Sequence, residues 1–245
     1  MSNELLKNNQ VQVPEEIHGF EESRQEDIVI PRIKVVNALS PERIEGLAAE
    51  GDVINSLTKE KIEADDLFIA IKQYYSNIRW NADRNAEPRI MCFSRDGRIG
   101  TTHDGDTLVC AQCKMNQFDN TKTGKEAQPL CTAYLNFLGF VETDMMPAVL
   151  SFAKTNYNEG KKMLSIAKSL RKSLWAYGYS LKGTKVTKDK NVWYIITPTL
   201  SAKEVSDETK LMATELFKLY EKTSVNADYE DVATKDSAQV MSDEV

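Results

Sequence analysis

All four cysteines of the chain lie in one polar segment, between Cys92 and Cys131. Cys110 and Cys113 form a C-x2-C pair, and Cys92 and Cys131 flank that pair at equal distances of seventeen intervening residues. A C-x2-C turn directs two thiolates to the same side, and four thiolates complete the tetrahedral shell of a structural zinc site. The spacing therefore predicts structural Zn²⁺ held by Cys92, Cys110, Cys113 and Cys131.

Two other interpretations of these thiols stay open. An iron–sulfur cluster also takes cysteine ligands, and four unconnected reduced cysteines need no metal. Free cysteine prefers buried, apolar surroundings, whereas Cys110 and Cys113 stand in polar sequence, so zinc is favoured. We interpret His103 as a surface residue, because four thiolates already complete the shell.

The sequence offers little for catalysis. The motifs of P-loop, dinucleotide-binding, zinc-protease and serine-hydrolase proteins are absent from the chain, and so is the zinc-deaminase signature. His18 and His103 are the two histidines of the chain, which leaves histidine-based acid–base catalysis little to work with. We therefore expect a protein that is not an enzyme. A metal-dependent nuclease or another replication enzyme is the first alternative, because acidic residues are plentiful.

Charge is strongly segregated along the chain. The net charge is −6 at pH 7. Residues 151–200 nevertheless hold ten basic residues against two acidic ones, a net charge of +8, while residues 226–245 hold six acidic residues against one lysine, a net charge of −5. A basic middle with acidic ends indicates an anionic ligand for the middle of the chain.

Aromatic residues accompany the basic ones. Binding of single-stranded nucleic acid needs cations for the phosphates and flat rings for the unstacked bases, and KQYYSNIRW and RKSLWAYGYSLKGTK supply both. Packing is the ordinary role of a ring in a strand, but the concentration of charge favours binding. The predicted stacking residues are Tyr74, Tyr75, Trp80, Trp175 and Tyr177. The predicted phosphate contacts are Arg79, Arg95, Arg98, Lys154, Lys161, Lys162, Lys168, Arg171, Lys172, Lys182 and Lys185.

Hydrophobic periodicity predicts the elements that position these residues. DDLFIAIKQYYSNIRW alternates as a strand buried on both faces. NEGKKMLSIAKSLRKSLWAYG has the period of an amphipathic helix, YSLKGTKVTKDKNVWYIITPTL that of a β-hairpin, and a last helix spans about residues 206–220 with Ser206 at its start.

These elements predict an α+β domain over residues 28–223. We expect a mainly antiparallel, OB-like β-barrel with one amphipathic helix, a C-terminal helix and a zinc-binding loop insertion over residues 92–131. Residues 1–27 are expected to form a flexible acidic arm, and residues 224–245 a disordered acidic tail.

The order of several segments resembles that of the single-stranded DNA-binding proteins of tailed phages. The likeness spans about residues 29–220 and rests on IPRIKVVNALSPE, GDVINS, CFSRDGRIG, CAQC, PAVLSFAKT, YGYSLKGTK and VWYIITPTL. It implies an oligonucleotide-binding barrel, sequence-independent coating of single-stranded DNA in replication and recombination, and recruitment of replication proteins through the acidic tail. The chain ends in MSDEV, without the aromatic C-terminal residue of several such tails. This departure from the family pattern affects the predicted docking of partner proteins more than the predicted DNA binding.

The remaining expectations concern location and rival functions. No run of eighteen apolar residues and no secretory signal is present, so we expect a cytoplasmic protein, in the host cell if viral, with no membrane partner. RNA is an alternative ligand, since stacking and phosphate contacts serve both nucleic acids. A zinc-containing transcription or assembly adaptor is the remaining alternative function.

Overall fold

The computed structural model describes residues 29–83 and 86–222, together with Val225, Ala227 and Tyr229. Its helices are α1 (Pro41–Ile44), α2 (Tyr157–Ser169) and α3 (Asp207–Tyr220). Its strands are β1 (Arg32–Val35), β2 (Val53–Asn55), β3 (Leu67–Trp80), β4 (Ile90–Ser94), β5 (Ile99–Thr102), β6 (Thr107–Val109), β7 (Cys131–Val141), β8 (Pro147–Ala153), β9 (Tyr177–Lys188) and β10 (Asn191–Glu204).

All ten strands belong to one open, mixed sheet. Eight of them follow the order β2-β1-β8-β7-β3-β4-β5-β6. The β9–β10 hairpin joins this path at the start of β3, where Leu67 and Phe68 pair with Ser180 and Tyr179. β1 and β8 are parallel, and the other strand pairs are antiparallel.

The predicted α+β domain with an OB-like barrel and a zinc-binding loop insertion is therefore wrong, since the described residues form a mostly β structure with one open sheet. The segment that was expected to be a loop contributes β5 and β6, which extend the sheet beyond β4, and β1 and β2 extend it beyond β8. Strands added at both ends of the path lengthen the sheet instead of closing it. The described residues also contain no group of three or more His, Cys, Asp or Glu side chains placed to hold a metal ion.

β3 is buried on both faces, as its alternating sequence pattern predicted. Phe68 and Ala70 pack into one apolar cluster with Leu135 and Phe137 of β7. Ile69 and its odd-numbered neighbours pack into a second cluster on the opposite face. We call these the first and the second core cluster.

The last helix and the hairpin match the predicted patterns, whereas α2 ends at Ser169, short of the predicted helix over residues 158–178. Met163 anchors α2 in the first core cluster and is 1% exposed. Ser206 caps α3, since its hydroxyl accepts a hydrogen bond from the Thr209 amide at 3.1 Å. Asp189, at φ 54°, and Lys190 form the two-residue turn between β9 and β10. None of the described helices combines the length and apolarity that a membrane span requires.

Candidate nucleic-acid interface

A cleft of about 470 Å³ lies where β3 passes the turn between β4 and β5 and the C-terminal end of α3. Four cationic and two anionic side chains give its lining an excess of positive charge, and two tyrosines supply aromatic surface. The lining residues are Lys72, Gln73, Tyr74, Tyr75, Arg95, Asp96, Arg98, Glu221, Lys222 and Val225. The cleft thus combines four of the predicted DNA-binding residues, namely Tyr74, Tyr75, Arg95 and Arg98.

A β-bulge in β3 decides which tyrosine faces this cleft with its ring exposed. The pairing of β3 with β7 shifts register between Ala70 and Lys72. Before the shift the odd-numbered residue Ile69 faces the second core cluster, and after it the even-numbered residues Tyr74 and Ile78 do. A bulge exchanges the two faces of a strand, so Tyr74 turns inward and Tyr75 turns outward. Tyr75 is 45% exposed.

The turn between β4 and β5 is held by Asp96. One carboxylate oxygen of Asp96 accepts hydrogen bonds from the Arg98 and Ile99 amides at 2.7 and 3.0 Å and from the Ser94 hydroxyl at 3.1 Å. Burial alone would raise the pKa of Asp96, but these hydrogen bonds outweigh it and hold the pKa below its ordinary value. The Asp96 carboxylate therefore stabilises the turn through these hydrogen bonds.

Arg95 and Arg98 belong to this turn, and their guanidinium groups can contact a ligand. Both are exposed, and in the part of the chain that the structure describes neither forms a salt bridge. The Arg95 guanidinium carbon lies 5.9 Å from the centroid of the Phe93 ring. Two unpaired guanidinium groups beside an exposed tyrosine suit a phosphate and a base of the same strand.

The opposite wall of the cleft is the end of α3. The Lys72 ammonium donates hydrogen bonds to the backbone carbonyls of Tyr220 and Glu221 at 2.7 and 3.2 Å. Burial lowers the pKa of Lys72, and the Glu221 carboxylate partly opposes that shift. Lys72 therefore fastens the end of α3 to β3, which brings Lys222 to the rim of the cleft.

A second tyrosine continues the aromatic surface toward α2. Burial raises the pKa of Tyr157, and the neighbouring Tyr75 raises it further. The Tyr157 ring is partly buried, because it packs against the first core cluster. The Lys161 ammonium lies 5.7 Å from the centroid of the Tyr157 ring. The cleft and the start of α2 thus form a surface with alternating rings and cations, which we call the Tyr75–Tyr157 surface.

A comparison with models of protein families identifies the family to which this chain belongs. Residues 4–226 match the family model described as Pam3 phage gp34-like protein. The chain belongs to the Pam3 phage gp34-like family. Searches of curated proteins and of solved structures find no match to the chain.

Membership in the Pam3 phage gp34-like family confirms the predicted kinship with phage proteins. The description of the family names neither a ligand nor an activity. Binding of single-stranded DNA by this family member is therefore a proposal, which the geometry of the cleft has to support.

Several predicted stacking residues lie away from the Tyr75–Tyr157 surface. Trp175 packs against Phe217, with ring centroids 5.3 Å apart, and Trp80 packs against the second core cluster. The Tyr177 hydroxyl donates to Glu204 at 3.1 Å, and Lys172 pairs with the same carboxylate. These contacts favour packing roles for the three rings.

The other predicted phosphate contacts are spread over several elements. Arg79 of β3 is paired with Cys92 of β4 on one side and with Cys131 of β7 on the other. Lys182 and Lys185 lie on opposite faces of the β9–β10 hairpin. Exposed positions on or next to α2 are taken by Lys154, Lys162, Lys168 and Arg171.

Lys222 and Tyr157 were missing from the predicted site. Tyr157 opens α2, and its ring packs partly against the first core cluster, as expected for the apolar face of the helix. Lys222 follows α3 and is 147 positions from Tyr75 in the sequence. No local sequence pattern relates residues so far apart. Lys161, in contrast, was predicted as a candidate because residues 151–200 are rich in basic residues.

The four thiols gather in one region without forming a ligand shell. Burial raises the pKa of Cys131 to about 11, and the neighbouring thiols of Cys113, Cys92 and Cys110 raise it in the same direction. No three of these side chains are placed as ligands of one ion within the described residues. The zinc assignment depends on the cysteine spacing and stays a prediction.

The beginning of the predicted acidic tail packs on the sheet. Val225, Ala227 and Tyr229 are 3%, 5% and 4% exposed, and all three belong to the second core cluster. The rest of the predicted tail and the predicted arm over residues 1–27 lie outside the described residues. Val225, Ala227 and Tyr229, which were predicted to belong to a disordered tail, are therefore part of the core.

Proposed function

We propose that this member of the phage family binds single-stranded DNA without sequence specificity and is not an enzyme. The observation that carries the proposal is the position of Tyr75, an exposed ring in a cationic cleft beside the exposed guanidinium groups of Arg95 and Arg98. Its place of action would be the host cytoplasm, in phage DNA replication or recombination.

The binding mode follows from the order of groups on the Tyr75–Tyr157 surface. Arg95 and Arg98 bind phosphates, Tyr75 accepts an unstacked base, and Tyr157 with Lys161 continues the same alternation. Each stacked base contributes about 1–3 kcal/mol, and every base has a face that can stack. A duplex keeps its bases paired and offers them to neither ring, so the surface favours single strands.

The acidic residues beyond Tyr229 supply the proposed modulation. Residues 230–245 hold five acidic residues and one lysine, and they follow a segment anchored beside the cleft, since Val225 lines it. A tethered polyanion competes with DNA for the same cations, and it also offers a docking segment for replication proteins.

The test is a titration of fluorescent oligo-dT over a range of salt concentrations. Tyr75→Ala should weaken binding by about 1–3 kcal/mol, while Phe118→Ala, which removes a ring that is 67% exposed in the cysteine segment, should not. Arg95→Ala and Arg98→Ala should each reduce the slope of log affinity against log salt by about 0.7. The exposed Arg43, which lies 3.7 Å from Glu50, provides the matched control Arg43→Ala.

Three outcomes would contradict the proposal. Equal affinity for duplex and single strand would reject base stacking. Equal effects of Tyr75→Ala and Phe118→Ala would reject the cleft. Shortening of the labelled strand in Mg²⁺ would replace simple binding by nuclease activity, and an RNA oligonucleotide in the same titration decides between the two nucleic acids.

A further inference from the structure

The pairing of β3 is interrupted on one of its two edges. On the first edge, β7 pairs with β3 from Phe68 to Arg79. On the second edge, β9 pairs with Leu67 and Phe68, and β4 pairs from Asn77 onward. Among the described strands, none pairs with residues 69–76 on this second edge. The sheet therefore has a gap between β9 and β4.

The cleft between the β4–β5 turn and the end of α3 lies along this gap. Consecutive residues of β3, from Lys72 to Tyr75, line the cleft. Successive side chains of a strand point to opposite faces of the sheet, so a cleft that touches all of these residues lies at an edge of the strand. Because β7 covers the first edge, the cleft of about 470 Å³ gives access to the second one.

The hydrogen bonds of β4 show which way the backbone of β3 faces. The His103 amide donates to the Met91 carbonyl at 3.0 Å, so the backbone groups of Met91 point to β5. Successive residues of an antiparallel strand direct their backbone groups to alternate sides, so those of Cys92 point to β3. Cys92 pairs with Arg79, and the backbone groups of Arg79 therefore point to β4.

The same alternation continues along β3 to the cleft. The register of β3 with β7 is unbroken from Lys72 to Arg79, so every second residue before Arg79 points its backbone groups away from β7. Gln73 and Tyr75 are such residues, and both line the cleft. Their amides and carbonyls thus point into the cleft, where no strand within the described ranges pairs with them.

The side chain that could block this edge is held elsewhere. Natural proteins often protect a free edge with a lysine, and Lys72 is the lysine of this stretch. Its ammonium donates to the Tyr220 and Glu221 carbonyls at 2.7 and 3.2 Å. Lys72 therefore holds the end of α3 and leaves the edge at Gln73 and Tyr75 accessible.

The charges at the two ends of the gap determine which ligand fits. Arg95 and Arg98 are exposed on the β4–β5 turn at one end, and Lys222 is exposed after α3 at the other. Of the two anionic residues in the lining, Asp96 is occupied by the hydrogen bonds of its own turn, and Glu221 adjoins Lys222. An extended ligand meets positive charge at both ends, which acidic side chains complement.

We propose that the β3 edge at Gln73 and Tyr75 is a docking site for an extended acidic segment of a partner protein. The segment adds one strand to the sheet: its amides donate to the two carbonyls, and its carbonyls accept from the two amides. Its acidic side chains pair with Arg95, Arg98 and Lys222. Single-stranded DNA fits this edge less well, because its phosphates accept hydrogen bonds but have none to donate to the carbonyls.

The peptide site itself does not depend on DNA binding. A peptide at this edge and a DNA strand at Tyr75 both use Arg95 and Arg98, so the two ligands exclude each other. This exclusion rests on the proposed function, and it would let a docked partner release DNA.

A binding titration on the full-length chain tests the site. The probe is a short fluorescent peptide in which glutamate and threonine alternate, and the control peptide has the same sequence with its central backbone nitrogens methylated. Methylation keeps the charge and removes the donors, so the control peptide should bind at least about tenfold more weakly. Arg95→Ala should weaken binding of the probe by about twofold to fivefold, as for an exposed ion pair, and Arg43→Ala should not.

Three results of this titration would overturn the proposal. Equal affinities for the two peptides would show that backbone pairing plays no part. Equal effects of Arg95→Ala and Arg43→Ala would place the peptide outside the cleft. Binding that occurs only after removal of residues 231–245 would assign the edge to the acidic tail of the chain itself, and not to a partner.

Hydrogen exchange measured by NMR provides a second test that needs no substitution. In the free protein the Gln73 and Tyr75 amides should exchange faster than those of Tyr74 and Ser76, whose backbone groups point to β7. Saturation with the probe should slow exchange at Gln73 and Tyr75. Unchanged exchange at both amides would overturn the proposal. Neither test contains DNA, so a failure here is distinct from a failure of the proposed function.

Discussion

A Cβ atom at Gly97 would lie 3.0 Å from the Cβ atom of Tyr75. Gly97 also has a φ of +72°, which side chains of L-residues rarely adopt. The turn that carries Arg95 and Arg98 therefore packs directly against the Cβ atom and the backbone of Tyr75, and glycine permits both the conformation and the contact.

Gly97→Ala tests this relationship. We expect a loss of about 1–3 kcal/mol in the free energy of unfolding from backbone strain, together with weaker binding of oligo-dT, because the added methyl group displaces Tyr75 or the turn. Gly105→Ala is the control, since Gly105 has a φ of +90° but no atom within 4 Å of its Cβ position. Urea melts and the oligo-dT titration measure the two effects. Equal oligo-dT affinities of the two variants would show that the contact with Tyr75 is not needed for binding.

The two ends of the predicted tail should respond differently to truncation. Removal of residues 231–245 eliminates four acidic residues and one lysine and leaves Tyr229 in place, so oligo-dT should bind more tightly with an unchanged melting temperature. Removal of residues 224–245 also removes Val225, Ala227 and Tyr229 from the second core cluster, which should lower the melting temperature. Thermal melts and titrations on both truncations separate the electrostatic effect from the packing effect. Identical melting temperatures of the two truncated proteins would contradict the packing role of Tyr229.

Acid stability should depend on a buried carboxylate in α1. Glu42 is 2% exposed and accepts hydrogen bonds from the ammonium groups of Lys34 at 2.6 Å and Lys59 at 3.0 Å. Burial by itself raises the pKa of Glu42, but the two lysines outweigh it and lower the pKa to about 2. A folded-state pKa below the unfolded one stabilises the fold above the unfolded pKa, and that stabilisation is lost as the pH falls from about 4.5 toward 2.

Glu42→Gln should therefore lower the free energy of unfolding at neutral pH by about 3 kcal/mol, because the buried Lys34 ammonium loses the charge of the Glu42 carboxylate. The variant should also lose stability less steeply than the wild type between pH 4.5 and pH 2. Glu45→Gln, at an exposed position of the same turn, is the control. Urea melts at several pH values measure both effects, and parallel pH profiles for the wild type and Glu42→Gln would argue against this ion pair.

The zinc prediction has a direct chemical test. If the cysteine spacing reports a structural site, the purified protein contains about one Zn²⁺ per chain, and Cys110→Ser lowers both the zinc content and the melting temperature. His103→Ala should change neither, since four thiolates complete the shell. Elemental analysis by mass spectrometry provides the stoichiometry. Wild-type protein without zinc, or Cys110→Ser protein with full zinc content and an unchanged melting temperature, would remove the assignment.

Local sequence patterns predicted individual elements well and the sheet poorly. The period of two in β3, the Ser206 cap of α3 and the turn at Asp189 each depend on residues close in sequence, where propensity and hydrogen-bonding chemistry act directly. The OB-like barrel was wrong because closure of a sheet depends on which strands pair at its edges. No local pattern states that β1 pairs with β8 or that β5 and β6 extend the sheet beyond β4.

The sequence by itself determined the charge segregation, the strand and helix periods and the position of the thiols, since these are properties of composition and spacing. Only the tertiary structure decided which rings are exposed. The bulge between Ala70 and Lys72 forms in the pairing of β3 with β7, and it reverses the faces of Tyr74 and Tyr75. The cleft likewise joins β3, the β4–β5 turn and the end of α3, which come together through sheet register and helix packing, and these depend on residues far apart in the chain.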